Sequence, residues 1–229
     1  MKMKAIIFDM DGTLLDSERL SQRAWDAAAR EHGFAVDVPL FLQMVGHRTP
    51  DIAKKLKSLW GDGVPVEMIA ETAAKKYLEL VNENVPLMAG TREIFNFCKS
   101  QKLKIGIATS TRRAYAQKKL ERAKLWSDIN AITCGDEVTI GKPHPEIYAR
   151  TATALDCVPA ECFAVEDSPT GFRAAFDAGC KTILIPDLVK PTPEALRDAH
   201  QIFNNLHALR VWLEKIFKAR AQAQKRANL

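Results

Sequence analysis

The chain has 229 residues, 47% of them hydrophobic, which is enough to bury a full core and excludes a disordered polymer. Its formal charge of +5 is a terminal feature, because Lys215, Lys218, Arg220, Lys225 and Arg226 share an acid-free tail and the remainder balances at 28 acidic residues to as many basic ones. That distribution suits a solvated helix end and argues against a nucleic-acid clamp.

The first predicted element is the apolar run "AIIFD" at 5–9. It is too short for a signal-peptide core or a membrane span and is followed at once by acid, so the expected location is cytoplasmic, with no membrane partner. Nearly continuous apolar character suits a strand covered on both faces. Roughly ninety residues without a convincing strand then follow. Helical periodicity fills them: "SERLSQRAWDAAAREHG" closes at Gly33, and "PDIAKKLKSLWGDG" and "PVEMIAETAAKKYLELVNEN" come after it. Asp16 and Ser17 have the chemistry of N-cap residues for the first of these helices. Residues 16–86 are therefore expected to form a helical module inserted into a core built from 1–15 and 87–229, with Pro86 and Gly90 marking the return.

Strand patterns resume in "LKIGIATS" (103–110), "AITC" (131–134), "CFAVED" (162–167) and "KTILIP" (181–186). Helical stretches separate them, among them "RRAYAQKKLERAKL" and a segment opening at Ser168-Pro169 and ending near Gly179. The alternation predicts an α/β fold with a parallel sheet. Trp25, Trp60 and Trp126 fall on helices or their ends and are expected to pack. Cys98, Cys134, Cys157, Cys162 and Cys180 form no C-x-x-C pair, and their odd number closes no disulfide set, so they are read as reduced core thiols.

In an open parallel sheet the reactive groups gather beyond the carboxyl ends of the strands. The first strand ends in Asp9-Met10-Asp11-Gly12-Thr13, the second in Thr109-Ser110 and the fourth in Glu166-Asp167-Ser168, while Lys142 stands in "GKPHPEIY" after the third. Four clustered carboxylates repel one another, and a hard cation relieves the repulsion. Oxygen ligands without a His or Cys cluster favour Mg²⁺, which commonly keeps water and phosphate in its shell. Thr109 and Ser110 precede a helix and offer hydroxyls and backbone amides to an anion, and Lys142 adds a fixed cation. Asp9 is then the candidate nucleophile on phosphorus. Asp11 is the candidate general acid and base, which requires it to carry a proton near neutral pH.

D-x-D-G-T, the hydroxyl at Thr109, the lysine of G-K-P and the E-D-S triplet, in this order, resemble the four motifs of the haloacid dehalogenase superfamily. The resemblance spans most of the chain. It implies a Rossmann-like core and, from the helical insertion after the first motif, the subgroup with a small helical cap, similar to phosphoglycolate phosphatases and β-phosphoglucomutases. Asp9 and Asp167 are the expected Mg²⁺ ligands, with Glu166 reaching the metal either directly or through water, and the resemblance implies that Asp11 contributes only its backbone carbonyl. The metal-free dehalogenases lack the second aspartate, so Asp11 sets this chain apart from them. The mutases place a histidine where Ser21 stands here, which puts phosphate monoester hydrolysis ahead of phosphosugar mutation.

The segment "MVGHRTPDIA" (44–53) resembles the cap loop that faces the catalytic aspartates, with Gly46 giving backbone freedom and Arg48 able to bind a carboxylate, phosphate or sugar hydroxyl. His47 belongs to the same loop, and His144, between two prolines at a helix start, is expected to be structural. A receiver-type signalling domain uses a similar set of groups but is shorter, lacks a cap and carries its phosphoacceptor on a middle strand. A silent interaction protein on the same fold is disfavoured by the intact motifs. The expectation is a Mg²⁺-dependent phosphatase of a small phosphorylated metabolite, a monomer or weak homo-oligomer.

Overall fold

A computed structural model describes residues 3–45 and 49–227. Six parallel strands form one sheet: β1 Ala5–Phe8, β2 Lys104–Thr109, β3 Ala131–Cys134, β4 Cys162–Glu166, β5 Lys181–Leu184 and β6 Gln201–Ile202. Their spatial order is β3-β2-β1-β4-β5-β6, so successive crossovers run outward from β1, first to one edge and then to the other. The two directions diverge at β1, and a crevice opens there beyond the carboxyl ends of the strands.

Alternation along β1 sends Ile6 and Phe8 to one face and Ala5 and Ile7 to the other, and each pair enters a separate apolar cluster. The first face is covered by α5 (Thr91–Ser100), α6 (Arg113–Arg122) and α10 (Leu206–Ala227), through Ile94, Phe95, Leu120, Leu209 and Leu213. The second is covered by α7 (Glu146–Ala154) and α8 (Pro169–Asp177), through Ile147, Tyr148 and Ala174. Most sheet residues on this second face are small, and Gly106 lets α7 lie close: a Cβ there would stand 2.8 Å from Leu155 Cδ1 and 2.9 Å from Thr151 Cγ2. The remaining helix of this region, α9 (Pro193–Asp198), packs with Phe172 and Leu184 through Ala195.

Between β1 and α5 lie α1 (Ser17–Arg30), α2 (Val38–Leu42), α3 (Thr49–Trp60) and α4 (Val66–Glu83). They enclose their own cluster, including Ala28, Phe41, Leu56, Ile69 and Ala73, with Trp25 and Trp60 packed against it. Trp60 stacks on Phe34 at 4.8 Å between ring centroids. Leu188, from the segment after β5, also packs against this helical cluster.

Several elements escape the sequence pattern, among them α2, α5 and β6. The short α2 is capped by Asp37, which accepts from Leu40 N. The two-residue β6 has too few positions to show alternation. Helix α5 begins at once after Gly90, so the return of the chain is itself a helix start; Gly90 has φ +94°, and a Cβ there would overlap the backbone at His207. All five cysteines are buried and free. Among the described residues no helix is long and apolar enough to cross a membrane.

Candidate active site

Strand register assembles the site. Phe8 lies opposite Val165 in β4 and opposite Ile107 in β2. The next residue of each strand therefore brings Asp9 beside Glu166, with Thr109 one position further along β2. The amide of Asp9 donates to Val165 O at 2.9 Å and ties the departing chain to β4. Gly12 then turns the chain at φ +84°, in the left-handed region, and a Cβ on it would overlap the Asp167 carboxylate.

Lys142 reaches into this row from the loop after β3. Its Nζ lies 2.5 Å from Asp9 Oδ1 and 2.5 Å from Glu166 Oε1, and it donates to Ala108 O at 3.0 Å. Glu166 has no solvent exposure. Tyr148 Oη donates to its Oε1 at 2.7 Å, and Ser168 Oγ donates to its Oε2 at 3.1 Å. Gly171 sits against the same carboxylate, leaving no room for a Cβ. Asp167 accepts from Thr13 Oγ1 at 3.1 Å.

One ligand oxygen each from Asp9, Glu166 and Asp167 lies within 4.8 Å of the others. Burial pushes the Asp9 carboxyl up to about 8, with Lys142 opposing and Glu166 adding to the rise. Burial likewise raises Asp167 well above the carboxylate range, reinforced by Asp9 and Glu166. Fully ionised, three carboxylates facing one lysine would leave negative charge uncompensated. An all-oxygen set of this kind fits a hard divalent cation, with Asp9 and Asp167 as its more available members because Glu166 is already engaged by Lys142, Tyr148 and Ser168.

Asp11 has different surroundings. Its Oδ1 accepts from Ser17 Oγ at 2.5 Å and from Lys119 Nζ at 2.7 Å, and its Oδ2 accepts from Thr111 Oγ1 at 2.7 Å. Its carboxylate is outside the three-carboxylate group. Burial acts to raise its proton affinity, but the charge and hydrogen bond of Lys119, with the hydrogen bonds from Ser17 and Thr111, outweigh burial and hold the carboxyl below its ordinary value. Three donors thus favour the carboxylate form of Asp11 when no phosphoryl group stands beside it.

Ser17 does not cap α1 as its type and position suggest. It is the first residue of α1, and its hydroxyl goes to Asp11; Asp16 occupies the cap position without a side-chain cap bond and pairs with Arg19 at 2.8 Å. Ser168 does cap α8, accepting from Gly171 N at 3.1 Å. His144 accepts from Glu146 N at 3.3 Å at the exposed start of α7. Thr109 is buried and accepts from Thr111 N at 3.1 Å, and Ser110 lines the opening.

These groups surround a cavity of about 560 Å³ that Asp9, Asp11, Lys142 and Asp167 line together with Glu18 and Ser21 of α1, Tyr77 of α4 and Val189. Helices from between β1 and β2 thus form one wall of it. Gly46, His47 and Arg48 lie outside the described residues.

Lys119, Thr111 and Tyr148 were not singled out by sequence reasoning. A signal existed for two of them. Lys119 shares the inward face of α6 with Ala116 and Leu120, so a cation stands where the helical period calls for an apolar residue. Tyr148 lies on the buried face of α7 with Ile147, Thr151 and Ala152, and a buried phenol requires an acceptor.

The family model described as "haloacid dehalogenase-like hydrolase" matches residues 6–185. A phosphorylated carbohydrates phosphatase of Thermotoga maritima is 33% identical over 196 residues, covering 79% of this chain and 84% of the relative. Hexitol phosphatase B of Escherichia coli K12 is 30% identical over 203 residues, covering 85% of this chain and 86% of the relative. Among solved structures, CbbY from Rhodobacter sphaeroides in complex with phosphate superimposes with a TM-score of 0.73 at 26% identity, covering 90% of this chain and 96% of that one.

Proposed function

The chain belongs to the haloacid dehalogenase-like hydrolase family, and from that premise we propose that it is a Mg²⁺-dependent phosphatase of a small phosphorylated metabolite, a sugar or polyol phosphate or a phosphoglycolate-like acid. The observation that carries this reading is the division of labour between two carboxylates two residues apart. Asp9 sits among Lys142, Glu166 and Asp167, whereas Asp11 is held aside by Ser17, Thr111 and Lys119. The names of the phosphatase relatives support a phosphorylated carbohydrate as the substrate class.

In this mechanism an Asp9 oxygen attacks phosphorus, and the bond from phosphorus to the ester oxygen breaks. The leaving alkoxide takes a proton from Asp11, and Asp9 becomes an aspartyl phosphate. Asp11 then removes a proton from water, which attacks phosphorus, breaks the bond to Asp9 and releases inorganic phosphate. Arrival of an anionic phosphoryl group beside Asp11 raises its proton affinity, so Asp11 takes up from solvent the proton that the first step needs. Lys142 orients Asp9 and offsets its charge, and Thr109 and Ser110 bind phosphoryl oxygens. Mg²⁺, held by Asp9, Asp167, the Asp11 carbonyl and Glu166 directly or through water, would neutralise phosphoryl charge. Residues 16–86 act as a cap over the core formed by 1–15 and 87–229, with Ser21 and the loop containing Gly46 and Arg48 among the groups that select the substrate.

The test is phosphate release from a panel of sugar phosphates, polyol phosphates and phosphoglycolate, with Mg²⁺ and with chelator, while β-glucose 1-phosphate is followed for conversion to the 6-phosphate. Metal-dependent release that disappears in Asp9→Asn is the expected result. Isomerisation outpacing release would replace the phosphatase with a mutase, and undiminished activity of Asp9→Asn would remove the nucleophile assignment.

A further inference from the structure

Lys119 is a buried cation that the catalytic scheme leaves unused. It stands on α6, far in sequence from its partner, and only 6% of its surface is exposed. Its Nζ lies 2.7 Å from Asp11 Oδ1 and 5.2 Å from the centroid of the Tyr77 ring, over which it sits. Tyr77 belongs to α4, among the helices inserted between β1 and β2, whereas Lys119 and Thr111 belong to the sheet region. The lysine is thus clasped between a carboxylate of the site and an aromatic ring of α4 that also lines the cavity. Burying an ammonium costs solvation that only a close carboxylate and ring can restore, so both contacts hold it in one place.

We propose that Lys119 is a positioning residue for Asp11, and that Tyr77 carries the placement of the helical cap to Asp11 through it. The proposal rests on the phosphatase reading and deepens it. Ser17 and Lys119 converge on Oδ1 and Thr111 holds Oδ2, so rotation of the carboxylate is restrained from both ends. Lys119 is the sole charged donor of the three. The ring of Tyr77 limits where the ammonium can go: with α4 seated, Lys119 stays over the ring and against Asp11, and when α4 withdraws, the lysine loses one of its two desolvated partners. Asp11 is thereby aligned for proton transfer only when the wall that selects the substrate is in place.

The experiment measures kcat and KM for the best substrate of the wild type in Lys119→Met, Lys119→Arg, Tyr77→Leu, Asp11→Asn and the double variant Asp11→Asn/Lys119→Met. Melting temperatures identify any variant that fails to fold. Positioning of an acid and base accounts for part of the roughly 10²–10⁴-fold that such groups supply. Lys119→Met is therefore expected to lose about 10- to 100-fold in kcat with KM within about threefold. Lys119→Arg should recover part of the loss, and Tyr77→Leu should lower kcat in the same direction. The double variant should be no slower than Asp11→Asn alone, because a residue acting through Asp11 has nothing left to position.

A rise in KM with kcat unchanged would overturn the proposal in favour of substrate binding by Lys119. Additive losses in the double variant would overturn it in favour of an independent role. If Lys119→Met does not fold, Lys119→Arg and Tyr77→Leu decide: full wild-type kcat in both refutes it. Asp9→Asn is the control that separates the two readings. A wild type that turns over while Asp9→Asn does not leaves the phosphatase standing whatever Lys119 does, and a wild type without turnover sinks both.

Discussion

Replacing Tyr148 by Phe removes one oxygen and leaves the ring, and the structure says what that oxygen does. Tyr148 Oη donates at 2.7 Å to Oε1 of Glu166, a carboxylate with no solvent exposure. Lys142 approaches the same oxygen at 2.5 Å and lies 5.2 Å from the Tyr148 ring centroid, and Phe would retain that ring contact. Hydrogen bonds to charged groups contribute about 1.5–3 kcal/mol, and no water can replace the lost donor in a packed interior. In a chain of this size each kcal/mol moves the melting temperature by about 2–4 °C. Tyr148→Phe should therefore melt about 3–12 °C below the wild type in thermal unfolding followed by circular dichroism. A variant that melts within 1 °C of the wild type would mean that the hydroxyl does not hold Glu166, and the account of how Glu166 is satisfied would fail.

Glu18, on the cavity wall, is pushed up to about 7 by burial, with Asp11 adding to the rise and Lys119 opposing it. A carboxyl whose folded-state pKa is raised contributes stability that is complete below its unfolded value, near 4.5, and is lost as pH rises through about 7. Glu18→Gln should consequently gain stability relative to the wild type between pH 5 and pH 8, by on the order of 1–3 kcal/mol in urea titrations; a constant difference across that range would contradict the assignment. Gly171→Ala places a methyl group inside the Glu166 carboxylate and is expected to cost about 1–3 kcal/mol by the same titration, whereas a neutral effect would show that α8 shifts freely. Mg²⁺ should raise the melting temperature of the wild type, by the equivalent of about 2.7 kcal/mol at a hundredfold excess over Kd, and Asp167→Asn should abolish most of that rise; an unchanged rise would remove Asp167 from the metal set.

The sequence by itself determined the parallel sheet, the helical insertion and the acidic, hydroxyl and lysine groups at the strand ends. Those features are local. An apolar run such as "AIIF" reports burial on both faces, and a residue leaving such a strand in a parallel sheet has one end of the crevice to occupy. What the sequence could not supply was the company each group keeps. Asp9 and Asp11 read alike as neighbouring carboxylates, yet the turn at Gly12 and the register of β1 against β4 put Asp9 beside Lys142 and Glu166, while Asp11 meets Ser17, Thr111 and Lys119. Ser17 looked like a helix cap because its type and position are those of a cap; only the path of α1 past Asp11 shows where its hydroxyl goes. Short elements such as β6 carry too few residues for a period, and α5 was hidden behind the turn at Gly90. Lys119 and Tyr148 serve partners 108 and 18 residues away, respectively. Propensity and periodicity act over a few residues, whereas the ionisation of a buried carboxylate is decided by whichever charge the tertiary fold brings within hydrogen-bonding distance.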